Sequence, residues 1–171
     1  MLEALLTDFR SPFATPPETV VVRMLAAVIL GALIGLEREF HARAAGLRTH
    51  ILVSLAACLF TLIAFELMTV EVHDRSELQT DPLRLIEAVT AGVAFLAAGS
   101  IITSGGRVQG LTTGAGMWLA GSVGLACGSG RILLALMAAV LAVVVLWLLR
   151  GLSGAIKNHE KGHEKAASRD E

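Results

Sequence analysis

The chain has 171 residues, 54% of them hydrophobic and 17% charged, with a mean hydropathy of +0.69 and a formal net charge of −1. So few charges over so much apolar sequence exclude an ordinary soluble domain and point to an all-α integral membrane protein in the lipid bilayer. The net charge is uninformative about partners, and no nucleic-acid partner is expected.

Residues 1–13 lack a basic start and do not read as a cleaved signal peptide. Leu2, Leu5, Leu6 and Phe9 fall at helical spacing, which predicts a segment lying along the outer membrane interface until Pro12, Pro16 and Pro17 break it. Five apolar runs follow, at 20–36, 51–68, 83–103, 111–126 and 132–149. Each approaches the roughly 20 residues that a helix needs to cross hydrocarbon. The expected organisation is an interfacial segment (1–19), one bundle of five transmembrane helices (20–150) and a charged, disordered cytoplasmic tail (151–171).

Basic residues orient the bundle, because cytoplasmic loops retain them. With the loop 37–50 inside, that side holds Arg38, Arg43, Arg48, Arg107, Arg150, Lys157, Lys161, Lys165 and Arg169; the other holds Arg10, Arg23, Arg75, Arg84 and Arg131. Five crossings then put the N-terminus outside, the C-terminus inside and the acid-rich stretch 71–81 outside.

The first run ends in Gly31-Ala32-Leu33-Ile34-Gly35-Leu36-Glu37-Arg38-Glu39, where hydrocarbon gives way to dense mixed charge. Glu37 and Glu39 would sit at a helix C-terminus, where the macrodipole disfavours anions, so compensation is required. Arg38 and Arg43 are close along the chain, and Gly46 would let the loop fold Arg48 back. Two readings stay open: a topology anchor and salt-bridge lock, or a polar centre binding a cation, a phosphate-bearing lipid or a partner protein. Mixed charge argues against a bare hard-cation cage. Which of Glu37, Arg38 and Glu39 faces the bundle is also open.

Small residues recur at every fourth position, at Ala27, Gly31 and Gly35 and again at Gly116, Ala120, Gly124 and Gly128. That spacing serves helix packing within the chain or a homodimer seam. Cys58 and Cys127 are expected at different depths, as small buried hydrophobes without a disulfide. The connection 103–114 is glycine-rich and faces the same side as the loop 37–50. Its Gly105, Gly106 and Gly110 allow tight turns and leave amides for Glu37 or a phosphate, beside Thr112 and Thr113; a plain flexible hairpin is the alternative. Glu66 and Glu87, toward the other ends of their helices, are expected to pair with Arg84 or to bind a cation. With Glu37 they are the weak metal candidates, and the metal assignment stays open.

His159-Glu160-Lys161-Gly162-His163 matches the zinc-protease spacing, yet it lies in a Lys-rich tail with a glycine inside it and no third ligand in view. It reads as a decoy. No phosphate-binding loop of the Walker type and no Gly-x-Ser-x-Gly elbow is present. No enzyme and no cofactor are expected.

Several motifs in order carry a family resemblance: the run 31–39, Ala45-Gly46-Leu47-Arg48-Thr49-His50, Asp81-Pro82-x-Arg84, Gly105-Gly106-x-Val108-x-Gly110-Leu111-Thr112-Thr113 and Gly124-Leu125-Ala126-Cys127-Gly128. Over residues 25–149 the chain resembles the MgtC/SapB family of bacterial inner-membrane proteins. The resemblance implies a multi-pass protein of five transmembrane helices with a cytoplasmic C-terminus. It also implies involvement in adaptation to low magnesium, in survival of some pathogens inside macrophages, and in modulation of the membrane potential or the proton-driven ATP synthase. The positions matching its motifs are Glu37, Arg38, Arg48, Thr49, Thr112, Thr113 and Cys127. Ala97 replaces a glycine that the family usually has, and the soluble C-terminal domain of longer members is missing, so the chain is more similar to short SapB-like members.

Three functions compete at this stage. One is a non-enzymatic regulator of magnesium or ion homeostasis acting through a membrane partner, sensitive to exposed small residues such as Gly116 or Gly124. The second is a small oligomeric carrier or channel for magnesium or another cation, with Glu37, Thr112 and Thr113 at its inner mouth. An intramembrane enzyme is the third.

Overall fold

The structure, a computed structural model, describes residues 15–40, 44–69, 82–104 and 106–148. The interfacial segment, Arg43, the acidic connection 71–81, the basic tail and the pair His159 and His163 lie outside the described residues.

Among the described residues the chain forms five helices and one small hairpin. Helix α1 spans Pro17–Glu39, α2 Leu47–Thr69 and α3 Pro82–Gly99. Strands β1 (Ile102–Ser104) and β2 (Arg107–Gln109) come next, then α4 (Leu111–Gly128) and α5 (Ile132–Leu148). Two stretches, Pro17–Glu39 and Leu47–Met68, are long and apolar enough to cross a membrane; Ile132–Leu148 is apolar but shorter. Helix α1 starts three residues before the expected position 20, because a proline in the first turn forfeits no helical hydrogen bond.

The third apolar run does not stay helical to residue 103 as expected. Helix α3 stops at Gly99, where the Ser100 hydroxyl and amide both donate to the Ala97 carbonyl, at 2.7 and 3.0 Å. The β-branched Ile102-Thr103 then runs extended, and Thr103 pairs antiparallel with Val108. Gly110, at φ +89°, follows the hairpin as the N-cap of the next helix; a side chain there would strike the Ser100 carbonyl.

Helix α4 ends in a Schellman motif around Gly130 (φ +75°), with Arg131 N–H donating to Ala126 O at 2.8 Å and Gly130 N–H to Cys127 O at 2.9 Å. Arg23 of α1 donates to the carbonyl of Gly128 at 2.8 Å, adding a cation at that helix C-terminus.

Helix α2 lies in the middle, packed on α1 and α4, which also touch each other; α3 leans on α4 and barely meets α2. One apolar cluster joins Ala27, Leu30 and Ile34 of α1 to Cys58, Val123, Cys127 and the alanines 135, 139 and 142 of α5. Cys58 and Cys127 therefore share one cluster rather than lying at different depths, because the last residue of α4, Gly128, abuts the middle of α2 at Cys58 and Thr61.

The distribution of polarity is inside out relative to a soluble protein. Fully buried side chains include His50, Ser54 and Thr61, while Ile29, Leu52, Phe60, Leu67, Leu133 and Leu141 are exposed. An apolar exterior around a core that also holds polar side chains suits lipid, where interior polar groups find partners and the outer surface has no water to avoid.

Candidate functional site

The charged end of α1 resolves into three residues with three different roles. Glu37 and Arg38 are both buried, Arg38 at 3% exposure, and their side chains approach to 3.7 Å, an electrostatic contact too long for a hydrogen bond. Arg38 Nη2 donates across to α4, to Thr112 Oγ1 at 3.1 Å and more loosely to Thr113 Oγ1 at 3.5 Å. Glu39 is exposed and turns the other way, its Oε2 accepting the Leu47 N–H at 2.9 Å. The question left open by the sequence is thereby answered: Glu37 and Arg38 face inward.

The same arrangement resolves the macrodipole problem. Glu39 leaves the C-terminus of its own helix and caps the N-terminus of the next, where an anion is favoured. Gly46 permits this, since a Cβ there would collide with the Glu39 carboxylate. Arg48 is not folded back into the centre as expected. It lies on the exposed side of the first turn of α2, because the helix already begins at Leu47 and its register turns His50 inward instead.

His50 is fully buried. Its Nδ1 lies 2.8 Å from the Gly46 carbonyl, which can only accept, so Nδ1 carries the proton and Nε2 of the neutral ring is an acceptor. Nε2 is buried without a hydrogen-bond partner among the described residues and faces Gly116, where a Cβ would sit 3.0 Å away.

His50 heads a stripe on α2 that continues through Ser54, Cys58 and Thr61, and each member faces a glycine. Ser54 donates to the Ala27 carbonyl of α1 at 2.9 Å and lies between Gly31 and Gly124; Thr61 and the Cys58 carbonyl border Gly128. Gly35 packs on Leu47 and His50 in the same way. The small-residue repeats of α1 and α4 are thus occupied by contacts within the chain. Gly116 and Gly124 are buried, not exposed, which corrects their expected place on a partner-facing surface.

The three weak cation candidates are not brought together. Glu37 is in the centre just described, Glu66 accepts the Thr15 N–H at 3.2 Å near the other end of α2, and Glu87 is exposed on α3, as is Arg84. Nineteen residues of α2 separate the level of Leu47 from Glu66, about 28 Å of helix. No group of three or more His, Cys, Asp or Glu suited to a metal occurs among the described residues. Thr49 is half-buried in the first turn of α2.

Sequence reasoning missed His50, Ser54 and Thr61 as members of the buried polar system. The available signal was their helical register, since polar residues at i, i+4 and i+11 on an otherwise apolar helix share one face, opposite a glycine repeat.

The MgtC family model matches residues 24–155. The chain is 38% identical to the protein MgtC of Salmonella typhimurium over 76% of its own length and 52% of the relative's. It is 36% identical to an uncharacterized Synechocystis protein, covering 84% of this chain and 57% of that one. It is 31% identical to the putative magnesium transporter YhiD of Escherichia coli K12, covering 81% and 64%. The chain therefore spans about half to two thirds of the relatives it matches, and no solved structure matches it. With the family model matched over residues 24–155, and 38% identity to a Salmonella typhimurium relative over 76% of its length, this chain is a member of the MgtC family.

Proposed function

We propose that the chain is a multi-pass protein of the bacterial inner membrane, crossing five times with its N-terminus outside and its C-terminus in the cytoplasm. It acts as a non-enzymatic regulator of magnesium-linked ion homeostasis or membrane potential through a membrane partner, for which the proton-driven ATP synthase is one candidate. Family membership and the names of its relatives support the magnesium connection.

The observation that carries the regulator over a carrier is the position of Arg38. Its guanidinium is buried between α1 and α4 on Thr112 and Thr113, so a fixed positive charge stands at the inner end of the bundle. A divalent cation passing Glu37 would meet the repulsion of that guanidinium, 3.7 Å from the same carboxylate, and Mg2+ in particular gives up its waters reluctantly. The centre reads instead as a lock that sets α1 against α4.

The second reading, a small cation carrier with Glu37, Thr112 and Thr113 at the inner mouth, is favoured by the name of the relative YhiD. Flux of magnesium and protons into liposomes containing the purified protein, under an imposed potential, separates the two. A regulator gives no saturable flux in either wild type or Glu37→Gln. Saturable flux abolished by Glu37→Gln in well-inserted protein would establish the carrier.

A further inference from the structure

His50 is enclosed toward α1 and open toward α4. On the α1 side, a Cβ on Gly31 would lie 2.9 Å from the His50 carbonyl and one on Gly35 3.1 Å from the His50 Cβ, so the packing there leaves no room. Nδ1 is held by the Gly46 carbonyl. Nε2 points toward α4, fully buried and without a hydrogen-bond partner among the described residues. In the tautomer that the Gly46 bond selects, this nitrogen is an acceptor and requires a donor. Left bare it would lose its hydration without compensation, which interior polar groups rarely do.

Gly116 differs from the other glycines of its repeat. A Cβ on Gly124 would strike the Ser54 carbonyl, and one on Gly128 would come within 2.7 Å of the Cys58 carbonyl; at those levels the backbones of α4 and α2 touch. A Cβ on Gly116 would meet no backbone of α2. Apart from its chain neighbours and its own helix backbone, only His50 Nε2 at 3.0 Å and Cδ2 at 4.0 Å come within 4 Å of it among the described residues. The two helices therefore separate toward the end that holds Glu37, and the imidazole spans the gap. Glycine at 116 is not needed to bring backbones together. It leaves a space at hydrogen-bonding distance from Nε2, about the size of one water molecule.

The backbone N–H groups of α4 at this level are engaged by carbonyls of the same helix. The Thr113 hydroxyl, one turn earlier on the same face and buried, accepts from Arg38, which leaves its own hydrogen to donate. The Thr112 carbonyl is the group that a hydroxyl at position 116 would reach by the back-bonding of a helical serine. We propose that a single water molecule is built into this space, donating to His50 Nε2 and held on α4 by the Thr112 carbonyl and the Thr113 hydroxyl. Three polar partners are what a buried water ordinarily has. The water joins α2 to α4 as Arg38 joins α1 to α4. A continuous network then runs from the Gly46 carbonyl through His50, the water and Thr113 to Arg38 beside Glu37. Gly116 is in this view a binding position and not a packing one.

Solid-state NMR of the full chain in liposomes, with 15N-labelled histidine, tests this on the wild type; the His50 signals are those missing from His50→Gln. The expected Nε2 resonance is that of an unprotonated nitrogen accepting a hydrogen bond, with a cross-peak to water protons that survives a filter against mobile bulk water. In Gly116→Ala, whose methyl takes the space, the cross-peak is expected to vanish. Thermal unfolding gives a second reading. Gly116→Ser, which brings its own hydroxyl to Nε2, is expected to unfold about 2–4 °C above Gly116→Ala, although alanine is smaller and the better helix former. In a His50→Phe background that order is expected to reverse. A wild-type Nε2 without the water cross-peak overturns the proposal, whether the nitrogen is free, as a dry gap would give, or bonded to a protein group, as a residue of the connection 41–43 would give. So does a cross-peak that persists in Gly116→Ala, or an alanine variant at least as stable as the serine variant when His50 is present.

Discussion

Glycine has opposite meanings in two regions of this molecule. In the α1–α2–α4 core, Gly31, Gly35, Gly124 and Gly128 are places where a neighbouring backbone comes too near for a side chain; a Cβ on Gly124 would strike the Ser54 carbonyl. On α3, Gly92 and Gly99 border open space. The first set allows buried polar groups such as Ser54 to reach the carbonyls of the next helix, and so holds the polar centre in place. The second leaves a helix loosely attached with a face unused. Small residues in a membrane helix therefore report close approach only when the partner is known, and among the described residues the partner is inside the chain for one region and absent for the other.

Substitutions sharpen this contrast, in order of expected effect on thermal unfolding of the purified protein. Arg38→Met strands the Glu37 carboxylate in the interior and is expected to destabilise by about 3–5 kcal/mol; adding Glu37→Gln should recover part of that loss, because the uncompensated charge is gone. If the double variant is no better than Arg38→Met, burial of Glu37 is not what makes the arginine necessary. Gly124→Ala is expected to cost about 1–3 kcal/mol by overpacking against a backbone that cannot yield. A neutral result there would mean that α2 and α4 are further apart than described. Ser54→Ala removes one bond between helices and should cost about 0.6 kcal/mol, the usual size of such bonds in lipid. Gly92→Ala should do the reverse of Gly124→Ala and stabilise by about 0.5 kcal/mol, since it gains helix propensity and meets nothing. Destabilisation at position 92 would place an unseen neighbour against α3 even in the monomer.

Much of this was legible from residue order. The apolar runs locate the helices to within a few residues at most ends, and the four-residue repeats mark the surfaces at which α1 and α4 pack. The mixed charge of 37–39 marks the polar centre. What the sequence could not supply was side-chain direction, because one residue is about 100° of helix and Glu37, Arg38 and Glu39 differ by one step each. Arg48 is expected from the sequence to fold back toward the charged cluster, yet the helix start at Leu47 turns it out and His50 in. The hairpin at 102–109 was hidden because Ile101 and Ile102 extend the apolar pattern of α3 without a break, and hydropathy does not distinguish a β-branched strand from another helical turn. Glu66 and Glu87 group with Glu37 in the sequence as weak metal candidates, though placed toward the other ends of their helices; only packing shows that Glu37 alone of the three is buried.

The contact between Arg38 and Thr112 carries the view that the buried charges tie α1 to α4 rather than line a path between them. A double-mutant cycle with Arg38→Gln, Thr112→Val and the pair, read by unfolding of the protein in bilayers, tests it directly. The expected result is a coupling of about 1 kcal/mol between the two positions, as for groups in one hydrogen-bonded network. Additive losses, with a coupling below about 0.3 kcal/mol, would contradict it.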